Sequence, residues 1–156
     1  TGWEANAAFS INKISEYQQN SGVYDSAWNW RDSLIVYQDV DISFSPNIIM
    51  ASTLTYEPLK NLKASLLTKY VGQQFLDNTG NENRAINPYL TNDLRLSYAL
   101  PIKAVKTVEL ALLINNIANT MYESNGWTYF LMFDTESGDV LTQNYNHYYL
   151  QILLII

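Results

Sequence analysis

Between Tyr89 and Asn119 apolar and polar side chains alternate with a period of two, the clearest pattern in the chain. Leu94, Leu96, Tyr98 and Leu100 fall on one face and Asp93, Arg95 and Ser97 on the other, because successive side chains on a strand leave opposite faces. Val108, Leu110, Leu112 and Ile114 repeat the apolar row against Glu109, Ala111, Leu113 and Asn115. Pro101 cannot donate to a ladder, so the break from Pro101 to Ala104 is expected to be the turn of a hairpin. Keeping both apolar rows on one side requires an even offset, which puts Arg95 across from Glu109 or within one pair of it.

The same pattern organises the rest of the chain. Trp3, Ala5, Ala7, Phe9 and Ile11 alternate with Glu4, Asn6, Ala8, Ser10 and Asn12, predicting one long first strand toward Tyr17. From Gln18 to about Asp41 the period lapses among Gly, Ser, Asn and Asp, and a long loop is expected. Ile48, Met50, Leu54 and Tyr56 give a second strand that stops at Glu57-Pro58. Leu62, Ala64, Leu66 and Tyr70 give a third, with Lys63, Ser65, Leu67 and Lys69 on its other face. Leu76 to Pro88 has no period and reads as a second long loop. The strand from Val108 is expected to continue past Asn116 toward Tyr122, Gly126 to Asn146 to be a third aromatic-rich loop or strand extension, and Tyr148 to Ile156 to be a sixth strand. The fold class is therefore all-β, an antiparallel meander of about six long strands in which short and long connections alternate. Thr1 and Ile156 both fall on the short-turn side.

Composition decides where such a meander could live. Aromatic residues make up 13% of the chain and charged residues only 15%, below the roughly 25% usual in soluble domains. That balance suits strands whose surface does not face water. No run of eighteen apolar residues exists, which excludes a transmembrane helix but not transmembrane strands, whose hydropathy signal is weak. Short turns on one side and long loops on the other are the rule in bacterial outer-membrane barrels. The net charge of −6, with no basic stripe, argues against nucleic acid as a partner. With no cysteine, neither a disulfide framework nor a thiolate metal site can be built. The start at Thr1-Gly2-Trp3 lacks the layout of a signal peptide, so the chain is expected to begin mid-protein or after processing.

Residues that carry chemistry are sparse. His147 stands alone among Tyr145, Tyr148 and Tyr149, and one imidazole cannot make a His-rich metal site, so no metal is expected. Glu4, Asp93 and Glu109 sit on the polar faces of strands, where Lys63, Lys69 and Arg95 answer them, and are explained without catalysis. No nucleophile elbow, phosphate loop or metal-ligand spacing appears, so no active site and no cofactor are expected. Trp28, Trp30, Trp127 and Tyr129 are the candidates for stacking on a ligand, although Trp and Tyr also form membrane-interface girdles. Asn83 and Arg84, in the second long loop, are candidates to reach a polar or anionic ligand, or are solvated loop residues.

The order of short motifs then points to a family. Tyr70-Val71-Gly72 leads into Leu76-Asp77-Asn78; a strand with Asn92 to Leu96 follows; the next ends in Asn115-Asn116-Ile117-Ala118-Asn119 and Tyr122-Glu123. This succession resembles the C-terminal barrel segment of TonB-dependent receptors of Gram-negative outer membranes, especially those of the Bacteroidetes. Residues 1–156 would then be the C-terminal portion of a transmembrane barrel of about 22 strands that encloses a plug. The resemblance implies import of a scarce nutrient (a siderophore, vitamin, oligosaccharide or peptide) into the periplasm, without catalysis. Outer-membrane lipid, the remaining barrel and plug, the TonB complex acting through a TonB box outside this chain, and a surface lipoprotein are the partners that the resemblance implies. Lys63, Lys69, Asp93, Arg95 and Glu109 would face the lumen. Two departures stand out: Leu150 to Ile156 lacks the family's terminal aromatic residue, and no plug is found. The alternatives are a soluble aromatic-rich β-sandwich that binds carbohydrate, or a passive outer-membrane porin.

Overall fold

The structure, a computed structural model, describes residues 1–101, 108–135, 140–151 and 154–155. The chain is all-β. Its strands are β1 (Gly2–Phe9), β2 (Lys13–Tyr24), β3 (Trp30–Asp41), β4 (Ile48–Leu59), β5 (Leu62–Val71), β6 (Gln74–Phe75), β7 (Ala85–Ile86), β8 (Tyr89–Leu100), β9 (Val108–Asn115), β10 (Tyr122–Asp134), β11 (Val140–Gln151) and β12 (Leu154–Ile155), with one 3-10 turn at Glu82–Arg84. They form a six-stranded sheet in the order β1-β4-β5-β8-β9-β12, a four-stranded sheet β11-β10-β2-β3, and the small pair β6-β7. Neither large sheet is closed, and every pairing is antiparallel except the short contact of Met132 and Phe133 with Val23 and Tyr24.

The six-stranded sheet follows the alternation. Register pairs Leu94 with Ile114, Leu96 with Leu112 and Tyr98 with Leu110, and on the other side Leu66 with Leu94 and Leu54 with Leu66, so the apolar rows of four strands share one face. Trp3 opposite Leu54 and Ala7 opposite Met50 add β1 to it. The opposite face carries Lys63, Lys69, Asp93, Arg95 and Glu109 together. The β4–β5 connection is the expected tight one, with Leu59 paired to Leu62 and Asn61 in the left-handed region at φ 68°. Pro58 lies inside β4, which runs on to Leu59 rather than stopping at Glu57; the register shifts between Tyr56 and Leu59, a bulge of the kind that accommodates a proline. The turn expected at Pro101 to Ala104 lies, beyond Pro101, outside the described residues.

Several expectations need correction. The first strand ends at Phe9, and β2 starts at Lys13 in a different sheet. Its apolar phase breaks there, from odd positions through Ile11 to even at Ile14, and Ser10 turns its amide to the Asn47 carbonyl at 3.0 Å. Gln18 to Asp41 is not a loop but most of the β2–β3 hairpin. Its strands read as loop because polar Gln, Ser and Asn occupy both faces, the signature of a ladder with little core to cover. Asp25 makes the turn, its carboxylate accepting from the amides of Ala27 and Asn29 at 2.9 and 2.8 Å. Of Gly126 to Asn146, expected as loop or strand extension, the described residues take the second form: those to Asp134 lie in β10 and those from Val140 in β11, paired with each other. β9 does not continue toward Tyr122: Asn116 and Asn119, at φ 53° and 49°, turn the chain, and Asn116 ties it by bonding both the carbonyl and the amide of Thr120. The closing run is not one strand, since Tyr148 to Gln151 belong to β11 and pair with β10, while β12 pairs with β9; Ile152, Leu153 and Ile156 lie outside the described residues. Arg95 pairs with Leu113 and Glu109 with Ala99, so the two share a face but stand four residues apart rather than within one pair. The even offset fixed the face and not the register.

What is buried sits away from the sheet's middle. Val23, Val40, Val71, Leu76 and Ile86 are the buried apolar side chains among the described residues. They gather where the long connections meet. The segment from Gln73 to Pro88, with its small β6–β7 pair, lies between the two hairpins, Gly80 against Val40 and Leu76 against Gly126.

Candidate functional site

The long connections carry most of the candidate residues, and folding sorts them into three places. The first is the hub around Arg84, which is 2% exposed and so does not reach out toward a ligand. Asn81 caps the 3-10 turn by accepting from the Asn83 amide at 2.9 Å, which aims Arg84 inward. Its guanidinium lies 4.3 Å from the centre of the Phe130 ring, and its Nη1 is 2.9 Å from Asp77 Oδ2, close enough for an ion pair though not aligned for a hydrogen bond. Asp77 is held in turn by the Thr79 amide and hydroxyl. Burial pushes the Tyr37 phenol above its ordinary value, while Arg84 beside it pulls the other way. One cation thus joins β3, β10 and the central connection. The Asn83 side chain is exposed, but its carbonyl accepts from Asn146 Nδ2 at 2.6 Å, fastening the same connection to β11.

The second place is the exposed face of β10–β11. Trp127 and Tyr129 are 45% and 46% exposed, and pairing sets them opposite His147 and Tyr145. Trp127 lies 4.8 Å from His147 and 5.6 Å from Tyr129, and Tyr129 4.7 Å from Tyr145, with interplanar angles of 20°, 16° and 7°. Four nearly parallel rings stand together with no charged side chain on the face between Asn125 and Gln143. The sequence marks His147, with Tyr145 near it, only as a lone imidazole weighed against a metal site, and not as a partner of Trp127 and Tyr129. The signal was present, since Trp127-x-Tyr129 and Tyr145-x-His147 have the spacing of one face of two strands, but it has meaning only once that stretch is a hairpin.

The third place is the tip where the hairpins touch. Trp28, 69% exposed at φ 62°, lies 5.9 Å from Tyr24 and edge-on to Phe133 at 5.7 Å. Arg31 grips Asp134 through Nε and Nη2 at 3.0 and 2.7 Å, and that bonding holds the Asp134 carboxyl below its ordinary value. The Asn29 side chain does the same to Asp25. Trp30 lies over Gly22, where any Cβ would collide with its indole. Trp28 and Trp30 are therefore separate from the Trp127 group.

On the polar face of the six-stranded sheet, Lys63 pairs loosely with Glu57 at 3.8 Å, and Asp93 accepts from the Asn116 amide at 2.7 Å. A hollow of about 340 Å³ near the short turns is lined by Glu57, Lys60, Lys63 and Glu109, and another of about 310 Å³ near the long connections by Lys69, Asp93, Asn115 and Tyr122. Charges of both signs alternate along this face, and no group of three metal-binding side chains forms among the described residues.

The fold and these surfaces define an all-β protein with one polar and one apolar face to its main sheet. No family model, curated protein or solved structure matches the chain.

Proposed function

We propose that this chain is part of the wall and outer vestibule of a TonB-dependent outer-membrane receptor that imports a scarce nutrient without chemically changing it. The observation that carries the reading is the apolar face of the six-stranded sheet, which no described residue covers. Trp3, Phe9, Met50, Leu54, Tyr56, Leu90, Tyr98, Leu110 and Leu112 are all exposed there, from 38% to 73%. A patch whose exposed side chains come from four strands, β1, β4, β8 and β9, exceeds what a monomer in water normally shows. Lipid covers it naturally. From Leu90 to Leu100 the strand rises roughly 34 Å at about 3.4 Å per residue, which a tilt of about 40° reduces to roughly 26 Å, against an apolar band about 25 Å tall. The interruption at Ser52, Thr68 and Asn92 is internally bonded, Thr68 Oγ1 to Asn92 Oδ1 at 2.8 Å and Trp3 Nε1 to Ser52 Oγ at 2.9 Å.

The connections fit the same reading. β4–β5 and β8–β9 turn back at one end of the sheet, while the β2–β3 hairpin, the 72–88 segment and the β10–β11 hairpin all leave from the other. In a barrel these are the periplasmic turns and the outer loops, and the charged face is the lumen wall. A sandwich would need a second sheet over the apolar rows, and the four-stranded sheet pairs through the long connections instead.

The test uses the full-length receptor in cells with and without a working energy-coupling complex. Ligand uptake should depend on that complex. Uptake that proceeds unchanged without it would make the protein a passive pore, and a chain that stays folded and monodisperse in plain buffer would remove the membrane from the picture.

A further inference from the structure

The rings of the β10–β11 hairpin continue the polar face of the six-stranded sheet, and one irregularity puts them there. Tyr122 pairs with Gln151, and both line the hollow that also holds Lys69 and Asp93 of that face. Past Glu123 the register shifts by one residue, so that Asn125 comes opposite Tyr149. Such a bulge re-aims every side chain beyond it. Without the shift, Gly126, Thr128 and Phe130 would share the face of Tyr122, and Trp127 and Tyr129 would point away from it. β11 itself is regular, with no residue at a positive φ, so Tyr149, His147, Tyr145 and Gln143 follow Gln151 along one face. From Gln143 to Gln151 this row runs roughly 27 Å at about 3.4 Å per residue.

Two kinds of group make up the row. Rings fill its middle: Trp127 stacks on His147 and Tyr129 on Tyr145, while Trp127 and Tyr129 remain exposed. Uncharged amides bound the rings, Asn125 and Gln143 beside them and Gln151 at the hollow. An ionic ligand calls for side chains of opposite charge, and the row has none before Lys69 and Asp93. A peptide gains most from pairing with a strand edge rather than from crossing a face of rings. A sugar answers both kinds of group, because its C–H face lies against the negative face of an aromatic ring while its hydroxyls bond to amides. The length of the row asks for several sugar units in line. We propose that the row is a binding track for an uncharged linear oligosaccharide, with Trp127, Tyr129, Tyr145 and His147 as its stacking platform and the flanking amides as partners of its hydroxyls. This rests on the receptor reading and names the class of nutrient.

The experiment uses the full-length receptor in detergent. The probes are glucose-, mannose- and xylose-based uncharged chains from monosaccharide to octasaccharide, with acidic oligosaccharides and a mixed peptide library beside them, and affinity is read by calorimetry and Trp fluorescence. Expected is an uncharged series whose affinity rises with chain length, and a loss of about tenfold or more in Trp127→Ala and in Tyr145→Ala. Trp127→Phe and Tyr145→Phe keep a ring and should stay within about threefold of the parent. Failure of every uncharged series, binding confined to acidic chains or peptides, or a monosaccharide bound as tightly as the octasaccharide overturns the proposal. So does an affinity that both Ala variants leave unchanged, or an equal loss in the Phe and Ala variants. If energy-coupled uptake of another ligand persists in those cases, the receptor reading stands and this inference falls. An uncharged oligosaccharide bound through these rings by a protein that is monodisperse in plain buffer would keep the track and remove the receptor.

Discussion

At the scale of single residues, the two faces of β8 offer the sharpest contrast, because Leu96 and Ser97 are neighbours in sequence with nothing shared in environment. Leu96 pairs with Ala64 and Leu112 on the apolar face, and Ser97 with Lys63 and Ala111 on the charged one. Leu96→Arg should cost roughly 2–4 kcal/mol in a lipid-facing position near mid-membrane, and Ser97→Arg much less. Refolding equilibria in lipid vesicles would measure both, and equal costs would refute the face assignment. Arg84 is the other decisive residue. Truncating one member of a buried ion pair typically costs about 3–5 kcal/mol. Arg84→Ala should fall toward the lower end, because Asp77 keeps its bonds to Thr79 and is partly open to water. Arg84→Met, which retains a stem against Phe130, should cost less than Arg84→Ala. The carboxyls at the hairpin tips give a pH signature. Asp25 and Asp134 both titrate below their ordinary value, so the stability they lend is present above the usual carboxylate pKa and is lost as pH falls through the lowered one. Trp28 fluorescence should therefore be constant from about pH 8 to 5 and change only below about 4. A transition near pH 6 would contradict the assignment.

Among the elements, the strands of the wall were legible in the sequence and the hairpins above it were not, for one physical reason. β4, β5, β8 and β9 divide two environments, so every second residue is forced to be apolar and the period of two survives in Leu94, Leu96, Tyr98 and Leu110, Leu112, Ile114. β2, β3, β10 and β11 have no such boundary to report. Gln18, Asn20, Gln143 and Asn144 are strand residues because their backbones pair, while their side chains answer to water, rings and one another. Site residues followed the same division. The charges of the polar face were readable from parity, whereas the Arg84 hub depends on Asp77, Tyr37 and Phe130, contacts that span three elements and leave no local trace. Where a hairpin is held by rings, the pairing itself can be measured. Tyr129 and Tyr145, 4.7 Å apart and 7° from parallel, should show a coupling of about 0.5–1.5 kcal/mol in a double-mutant cycle with Tyr129→Ala and Tyr145→Ala. Strict additivity would mean that the two rings are neighbours without interaction, and that their alignment is available to a ligand at no cost to the hairpin.

For the whole molecule, the separation between a regular wall and a compact cap of connections governs how function can be exchanged. Under the proposed function the sheet would stand in lipid, where no water is at hand to satisfy a broken ladder, and the wall should then move little during import. Under the proposed function specificity would lie in the cap, whose parts are joined: Val40 of the first hairpin lies against Gly80 of the 72–88 segment, Leu76 of that segment against Gly126 of β10, and Arg84 reaches Phe130. Grafting Leu76 to Pro88 alone from a related receptor should consequently fail in a particular way. It removes Arg84 from between Tyr37 and Phe130, so amide exchange should speed up in both hairpins and affinity for either parent's ligand should fall. Moving residues 13–41, 76–88 and 122–151 together carries the hub intact and should transfer the donor's ligand preference, while exchanging the Lys60-Asn61 turn should change nothing. Binding isotherms on the three chimaeras would decide. A single-loop graft that transfers specificity with the hairpins undisturbed would show that the connections act independently, and that the buried cation fixes the position of only its own segment.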